Sequence, residues 1–157
     1  MAQEKDTAAK VVELLLIFAI VLGAALLVMR ELCERAENSQ RRVTVDRMIA
    51  IEDGLAKYLV DSGGLLPTAE QGLAALLKPP KAGPQPMSWN GPYVDDEATL
   101  RDAWGRDLQY ICPGRPIEGY ENIYLPYCLW SYGADGAEGG DEMDRDMCSW
   151  DRKTMIP

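Results

Sequence analysis

The sequence predicts an α+β protein in which a long N-terminal helix precedes a small antiparallel sheet. Three observations support this fold class. Residues 14–29 contain no polar side chain, no proline or glycine occurs between residues 24 and 53, and two short runs further along alternate in character. An uninterrupted apolar stretch favours one helix, whereas alternation with a period of two is typical of strands.

The apolar stretch is long enough to cross a bilayer. Counted from Val11 to Met29, it contains a single charge, Glu13. A helix of about 20 residues spans the hydrocarbon core. The alternative is a cleaved secretory signal, but acidic residues precede the stretch and no small-residue cleavage site follows it. We therefore expect a retained, single-pass membrane helix.

The helix is expected to continue beyond the membrane until the chain breaks at residues 62–64. Met48, Ile51, Leu55 and Leu59 recur at steps of three and four. This spacing predicts an apolar stripe that packs on a folded domain. The alternative is two helices separated by a kink near residues 38–39.

A second helix and two strands are predicted downstream. Thr68 and Gln71 have the spacing of a capping box, and the prolines at 79–80 would end the helix that follows. Strands are predicted within residues 108–112 and 124–132, where apolar and aromatic residues lie between turn signals. The segment 133–151, which is rich in glycine and acidic residues, is expected to be a loop.

Composition excludes several classes of function. The chain has no histidine, so catalytic triads and zinc sites that use histidine are excluded. Its net charge is −9, which argues against a nucleic-acid partner. Residues 1–30 carry equal numbers of acidic and basic side chains, so all of this charge lies on residues 31–157. Acidic residues alone do not define a catalytic pair, and we expect no enzymatic activity.

Four phrases follow one another in the sequence: LLPTAEQGLAALLKPP, WNGPYV, DAWGRDLQYICPG and LWSYGADGAEGGDEMDRDMCSWD. Together they resemble the major pseudopilins of bacterial type II secretion systems, which belong to the type IV pilin-like superfamily. The resemblance covers residues 58–151. It implies a lollipop fold, in which a long N-terminal helix has a membrane half and a half packed on a small antiparallel sheet with a calcium loop. It also implies a leader at 1–8, a transmembrane and assembly helix at 9–30, and a periplasmic pseudopilin domain at 31–157.

The function implied by this resemblance is structural. Such subunits form a periplasmic pseudopilus that helps to export folded proteins through the outer-membrane secretin. The expected location is the bacterial inner membrane, with the C-terminal domain in the periplasm. The expected partners are copies of the same chain in a helical polymer, other pseudopilins, the inner-membrane secretion platform and a prepilin peptidase. The alternative is an unprocessed, membrane-anchored calcium-binding module such as a minor pilin or adhesin.

The resemblance assigns roles to residues near the N-terminus. The peptidase would cut between Ala8 and Ala9 and the new N-terminus would be methylated, although the family has glycine and phenylalanine at these positions. Glu13 matches the family's assembly glutamate, which pairs with the freed amine of a neighbouring subunit. A carboxylate within a bilayer costs about 2.5–3.5 kcal/mol on insertion scales, which favours a functional role. The alternative is that Glu13 snorkels to the membrane surface.

The resemblance also implies Ca²⁺ as the cofactor. Seven acidic residues lie within 135–151, a density that favours a bound cation, and Ca²⁺ prefers carboxylate and carbonyl oxygens. The expected ligands are the backbone carbonyl of Tyr132 and the carboxylates of Asp135, Asp144 and Asp146, with Asp141 as a further candidate. A solvated acidic segment without a metal is the alternative.

The cysteines are consistent with an oxidising compartment. Cys112 and Cys128 lie in the two predicted strands, and a hairpin could bring them within disulfide distance. Cys148 is a competing partner for either. Buried, reduced thiols remain the alternative.

Overall fold

The structure is a computed structural model, and it describes residues 2–117, 123–141, 144–151 and 153–155. The chain divides into two compact units, Met1–Glu37 and Asn38–Pro157. Helix α1 runs through both. The elements in order are α1 (Ala2–Asp61), two short 3₁₀ helices (Leu73–Leu76 and Glu97–Leu100), β1 (Gln109–Ile111), β2 (Cys128–Ser131) and β3 (Met147–Cys148).

In the N-terminal unit, α1 is one continuous helix, as predicted. The large apolar side chains from Leu14 to Met29 are all exposed to about half or more of their full extent; Phe18, for example, is 66% exposed. The polar residues that follow form exposed pairs one turn apart, Arg30 with Glu34 and Arg35 with Glu31. Pairs of this kind contribute about 0.3–0.5 kcal/mol each, so they support the helix only weakly.

In the C-terminal unit, α1 supplies one side of the hydrophobic core. Met48, Ile51 and Leu55 are buried, as predicted, but Leu59 is 37% exposed and Tyr58 is buried in its place. The prediction for Leu59 was wrong because the residue three positions after Leu55, and not the residue four positions after it, faces the core. That residue is Tyr58, whose ring packs edge-on against Tyr93 with ring centres 5.6 Å apart. The other buried hydrophobic residues of this core are Leu73, Ala75, Leu76, Val94, Leu108, Leu129, Met147 and Met155.

A glycine allows close approach of the chain to α1. A Cβ atom added to Gly54 would lie 3.0 Å from the carbonyl oxygen of Tyr93 and 3.2 Å from a methyl carbon of Val94. Contacts this short are rare for real Cβ atoms, so a larger residue would push this segment away from the helix. Gly54 therefore sets the distance between α1 and residues 93–94.

The sheet has three antiparallel strands in the order β1-β2-β3. Gln109 pairs with Trp130, and Ile111 pairs with Cys128. The two predicted strands are therefore confirmed. The third was not predicted: β3 lies within the segment 133–151 that was expected to be a loop, and Met147 pairs with Ser131. A two-residue strand that follows an acidic, glycine-rich run is too short to show a period of two.

The capping box at Thr68 is formed, but the α-helix predicted after it is not. The backbone N–H of Gln71 donates to Thr68 Oγ1 at 3.2 Å, and the N–H of Thr68 donates to Gln71 Oε1 at 3.0 Å. Gly72 then adopts φ 60°, ψ −170°, which is far from helical geometry. Only a single 3₁₀ turn, Leu73–Leu76, follows, and it buries Leu73 and Leu76.

Candidate functional site

The acidic loop, residues 132–146, connects β2 to β3 and contains all five predicted calcium ligands. Glu142 and Met143 lie outside the described residues. Four glycines in this loop have positive φ, which side chains with a Cβ adopt at a cost of about 1–2 kcal/mol. These glycines let the chain fold back on itself within a short length; they are Gly133, Gly136, Gly139 and Gly140.

Hydrogen bonds within the loop join its middle, at Gly139, to its end, at Asp146. The N–H of Gly139 donates to Asp146 Oδ2 at 3.1 Å, and the N–H of Asp146 donates to the carbonyl of Gly139 at 3.2 Å. Asp135 Oδ1 accepts from the N–H of Ala137 at 3.1 Å, and the carbonyl of Asp141 accepts from the N–H of Asp144 at 3.0 Å. The carboxylates of Asp135 and Asp146 are thus oriented by backbone donors.

The carbonyl of Asp144 lies between two glycines. A Cβ added to Gly133 would lie 2.7 Å from this oxygen, and one added to Gly140 would lie 2.5 Å from it. These distances are shorter than real Cβ contacts. The loop therefore requires glycine at both positions, because the carbonyl of Asp144 passes close to each of them.

The donor set of the loop fits a hard cation such as Ca²⁺. Asp146 Oδ1 is buried and has no hydrogen-bond partner, which is unusual because a buried acceptor without a partner costs about 1–3 kcal/mol. Among the described residues, however, no three acidic or cysteine side chains are grouped as a metal cluster. A Ca²⁺ site here would therefore depend on backbone carbonyls as well as on carboxylates, as Ca²⁺ sites commonly do.

Arg106 connects the start of the acidic loop to the preceding segment. Its guanidinium donates to the carbonyls of Gly133 and Ala134. Its Nε lies 3.2 Å from Asp102 Oδ2. A Cβ at Gly136 would overlap the same guanidinium, so this third glycine makes room for the arginine.

Asp102 is the centre of a buried polar network. It is 2% exposed. Its Oδ1 accepts from the N–H groups of Trp104 and Arg106 at 3.0 and 2.9 Å, and its Oδ2 accepts from Ser131 Oγ at 3.1 Å. Because all these donors satisfy one buried carboxylate, the network fixes the last residue of β2 relative to residues 102–106.

Three polar side chains of α1 form hydrogen bonds with backbone groups of residues 102–103, 145 and 154. Arg41 donates to the carbonyls of Arg145 and Thr154; Arg47 donates to that of Asp102 at 2.9 Å. Thr44 Oγ1 accepts from the N–H of Ala103 at 3.0 Å. Burial, and then repulsion by the charge of Arg145, lowers the pKa of Arg41.

Sequence reasoning missed these anchoring residues. Arg41, Thr44 and Arg47 were given no role, because neither charge nor hydropathy distinguishes a side chain that binds a backbone group. The available signal was the phrase DAWGRD, which was used only as a family marker. Asp102 lies four residues before Arg106, with Gly105 between them. A turn at this point can bring the two side chains together as an ion pair.

The remaining predicted ligands are dispersed along the loop. Tyr132 is half-buried, and its ring packs edge-on against Trp130 with ring centres 6.1 Å apart. Asp135, Asp141 and Asp144 have exposed side chains. Of the four candidate carboxylates, Asp146 alone combines a backbone donor on one oxygen with a buried, unpartnered second oxygen.

The predicted Cys112–Cys128 disulfide is not formed in this structure, in which all four cysteines are free. Cys128 pairs with Ile111, so Cys112, one residue further, has its side chain on the opposite face of the sheet. Cys112 Sγ lies 3.3 Å from the carbonyl of Pro126, whereas Cys128 Sγ accepts from the N–H of Arg115 at 3.2 Å. Burial raises the pKa of the Cys148 thiol to about 11, with smaller contributions from Asp146 and Cys128.

The predicted assembly and processing residues lie in the N-terminal unit. Glu13 is exposed on α1. The backbone at Ala8 and Ala9 is helical, and their side chains lie outside the described part of the chain. A Cβ added to Gly23 would meet no atom within 4 Å, so within one copy of the chain nothing packs at this point.

The architecture defines the class of protein. A single N-terminal helix that is apolar in its first half, with a second half that joins the core of a small antiparallel sheet, is the pilin-like fold. The family model described as Type II secretion system (T2SS), protein G, matches residues 31–150. The chain belongs to this family, whose members are the major pseudopilins of type II secretion.

Similar proteins support this assignment along nearly the whole chain. The Type II secretion system core protein G of Pseudomonas aeruginosa is 32% identical over 151 residues, which cover 96% of this chain and 99% of that protein. The protein of the same name from Vibrio cholerae is 30% identical, covering 93% and 92%. The crystal structure of the major pseudopilin of enterohaemorrhagic Escherichia coli matches with a TM-score of 0.56 and 28% identity, covering 76% of this chain and 93% of that one.

Proposed function

We propose that the chain is a non-catalytic subunit that polymerises with copies of itself into a pseudopilus, held in the bacterial inner membrane by α1 before assembly. Residues 31–157 then lie in the periplasm. One observation carries the proposal: α1 joins an exposed apolar segment to a segment that forms part of a folded core. Such a helix needs a bilayer or other helices around its first half.

The apolar segment supports a membrane location. Among the described residues, α1 is the one helix long and apolar enough to cross a membrane by length and composition. Its apolar side chains between Leu14 and Met29 are exposed. Leaving apolar surface in water costs about 25 cal/mol per Å², so this segment strongly favours a bilayer or a bundle of like helices.

Two residues in the N-terminal half of α1 support self-assembly. Glu13 is a lone acid beside an apolar run, and a carboxylate in an apolar environment requires a cationic partner. In the proposed pseudopilus that partner is the N-terminal amine of a neighbouring copy, freed by a prepilin peptidase between Ala8 and Ala9. Gly23 has open space around its Cα, and small residues let two helices approach closely in a membrane.

We further propose that the acidic loop binds Ca²⁺. The carboxylates of Asp135, Asp144 and Asp146 and the carbonyl of Tyr132 would hold it, with Asp141 as an additional ligand. A bound Ca²⁺ supplies positive charge that neutralises the carboxylates and joins distant parts of the loop. The unpartnered Asp146 Oδ1 and the close approach of the backbone at Gly133 and Gly140 support this proposal.

Thermal unfolding in Ca²⁺ and in chelator tests the metal site. Extracellular Ca²⁺ sites have dissociation constants of roughly 10⁻⁴–10⁻³ M, so millimolar Ca²⁺ should raise the melting temperature and Mg²⁺ should raise it much less. Asp146→Asn should remove the increase. Glu138→Gln is the matched control, because it removes an exposed acid of the same loop that is not a proposed ligand. Equal melting temperatures in Ca²⁺ and in chelator would exclude the site.

Deletion of the chain in its own bacterium tests the secretion role. Proteins that normally appear in the medium should then accumulate in the periplasm, and the intact chain should restore their export. Glu13→Gln should insert into the membrane but fail to restore export. The matched control is Glu34→Gln, which changes an exposed acid further along the same helix and should restore export. Normal export in the deletion strain would contradict the proposed function.

A further inference from the structure

Cys128 and Cys148 lie on the same face of the sheet. Trp130 pairs directly with Cys148 across β2 and β3, and Cys128 precedes Trp130 by two residues. Because side chains alternate between faces with a period of two, Cys128, Trp130 and Cys148 all point to one side. Cys128 and Cys148 are therefore diagonal neighbours on adjacent strands.

Contacts two residues further along both strands agree with this placement. The ring centres of Trp130 and Trp150 are 6.1 Å apart. The guanidinium carbon of Arg115 lies 5.1 Å from the ring centre of Trp150 and 6.0 Å from that of Trp130. The backbone N–H of Arg115 also donates to Cys128 Sγ. One residue thus contacts Cys128 and both tryptophans, which shows that this face is continuous from β2 to β3.

We propose that Cys128 and Cys148 form a disulfide that joins β2 to β3 when the protein meets a thiol–disulfide oxidant. Diagonal neighbours in an antiparallel pair have Cα atoms about 7–8 Å apart, whereas a disulfide needs about 4.4–6.8 Å. A small inward movement of β3 is therefore required. β3 contains only two residues, Met147 and Cys148, so few ladder hydrogen bonds oppose this movement.

The reaction is an exchange with a disulfide oxidant, such as an oxidised thiol–disulfide oxidoreductase or oxidised glutathione. Cys148 is partly exposed and Cys128 is fully buried, so Cys148 Sγ attacks the oxidant first and forms a mixed disulfide. Cys128 Sγ then attacks Cys148 Sγ and expels the second thiol of the oxidant. Two protein thiols lose two electrons and two protons, and one oxidant disulfide becomes two thiols.

The bond would close the chain between residues 128 and 148, and this interval contains the whole acidic loop. A crosslink across such a loop restricts the unfolded chain more than the folded one. The proposal depends on the proposed periplasmic location only for the source of oxidant in the cell. The test below uses purified protein, so its outcome is independent of pseudopilus assembly and of Ca²⁺ binding.

The test is peptide mapping of the purified full chain in detergent. The protein is incubated with oxidised glutathione at mildly alkaline pH, because exchange requires a thiolate, then denatured, alkylated and digested with trypsin. Cys148 lies in the peptide 146–152. Cys112 and Cys128 share the peptide 107–145, because Arg115 precedes a proline. The expected product is a disulfide between these two peptides, with the exposed Cys33 alkylated or carrying glutathione but linked to neither peptide.

Variants identify the partner of Cys148. Cys112→Ser should keep the linked peptides, and Cys148→Ser should leave Cys128 alkylated after denaturation. Fragmentation of the linked peptide from the unchanged chain gives the same answer without any substitution. Alkylation of all four cysteines after oxidation would overturn the proposal. A link that disappears in Cys112→Ser would overturn it as well, because Cys112 would then be the partner.

Discussion

The guanidinium of Arg41 donates to the backbone carbonyl of Arg145 at 2.9 Å, which joins α1 to the end of the acidic loop across 104 residues of sequence. A second bond from the same side chain reaches the carbonyl of Thr154 at 3.2 Å. Arg41 is 5% exposed. A buried cation bound to carbonyls therefore positions the C-terminal segment on the helix.

Arg41→Leu should destabilise the C-terminal unit and open the acidic loop. Hydrogen bonds to charged groups contribute about 1.5–3 kcal/mol, so we expect a loss of about 2 kcal/mol, measured by chemical unfolding in detergent. Limited proteolysis should cleave the variant faster within residues 132–146. Arg42→Leu is the control, because Arg42 is exposed and its replacement should change neither quantity. Equal cleavage rates for the two variants would contradict the role of Arg41.

Asp102→Ala should be among the most destabilising substitutions of a charged residue. It removes the acceptor of Arg106, Ser131 and two backbone N–H groups. Breaking a buried ion pair by removing one partner costs about 3–5 kcal/mol; because Arg106 is partly exposed, we expect about 3 kcal/mol. Asp107→Ala is the control: its pair with Arg101 is exposed on both sides and should contribute at most about 1 kcal/mol. Similar losses for both variants would contradict the network.

Gly54→Leu and Gly23→Leu should affect different properties. Gly54→Leu should unfold or strongly destabilise the C-terminal unit, because its side chain would enter the space occupied by Tyr93 and Val94. Gly23→Leu has open space around it, so it should leave thermal unfolding unchanged and impair polymerisation instead. Circular dichroism and recovery of filaments measure the two effects. A Gly23→Leu variant that lowers the melting temperature as much as Gly54→Leu would contradict this division of roles.

Gly140→Ala should weaken Ca²⁺ binding more than Gly139→Ala. Both glycines have positive φ, so both alanines carry a similar backbone cost of about 1–2 kcal/mol. Only the Cβ at position 140 meets another atom, the carbonyl oxygen of Asp144 at 2.5 Å. The difference between the two variants in Ca²⁺-dependent melting temperature therefore reports this contact. An identical Ca²⁺ response of the two variants would show that Ca²⁺ binding does not require the close contact between Gly140 and the carbonyl of Asp144.

The long helix and the two longer strands were predictable because each follows from a local pattern. The apolar run and the absence of proline and glycine between residues 24 and 53 favour α1, and period-two alternation favours β1 and β2. The strand β3 is too short to carry a period, so its pairing depends on tertiary contacts. At Thr68 the capping box was predicted correctly, but the conformation of Gly72 ends the turn before an α-helix can form.

The site was less predictable than the fold, because it depends on register and on side chains that bind the backbone. Because Ile111, and not Cys112, pairs with Cys128, the two cysteines lie on opposite faces of the sheet. No sequence pattern sets that register. The roles of Arg41 and Asp102 depend on carbonyls and hydroxyls more than 25 residues away, and such contacts leave no local signal.

Filament assembly tests the central proposal most directly. The chain is overproduced in cells that contain an inner-membrane secretion platform and a prepilin peptidase, and the filaments sheared from the cell surface are analysed by immunoblotting and electron microscopy. The Pseudomonas aeruginosa relative, produced in the same way, is the positive control. We predict filaments built from this chain, and none from Glu13→Gln. Filaments from the relative but only unassembled chain in the membrane fraction would contradict the proposal that this protein is a polymerising pseudopilin.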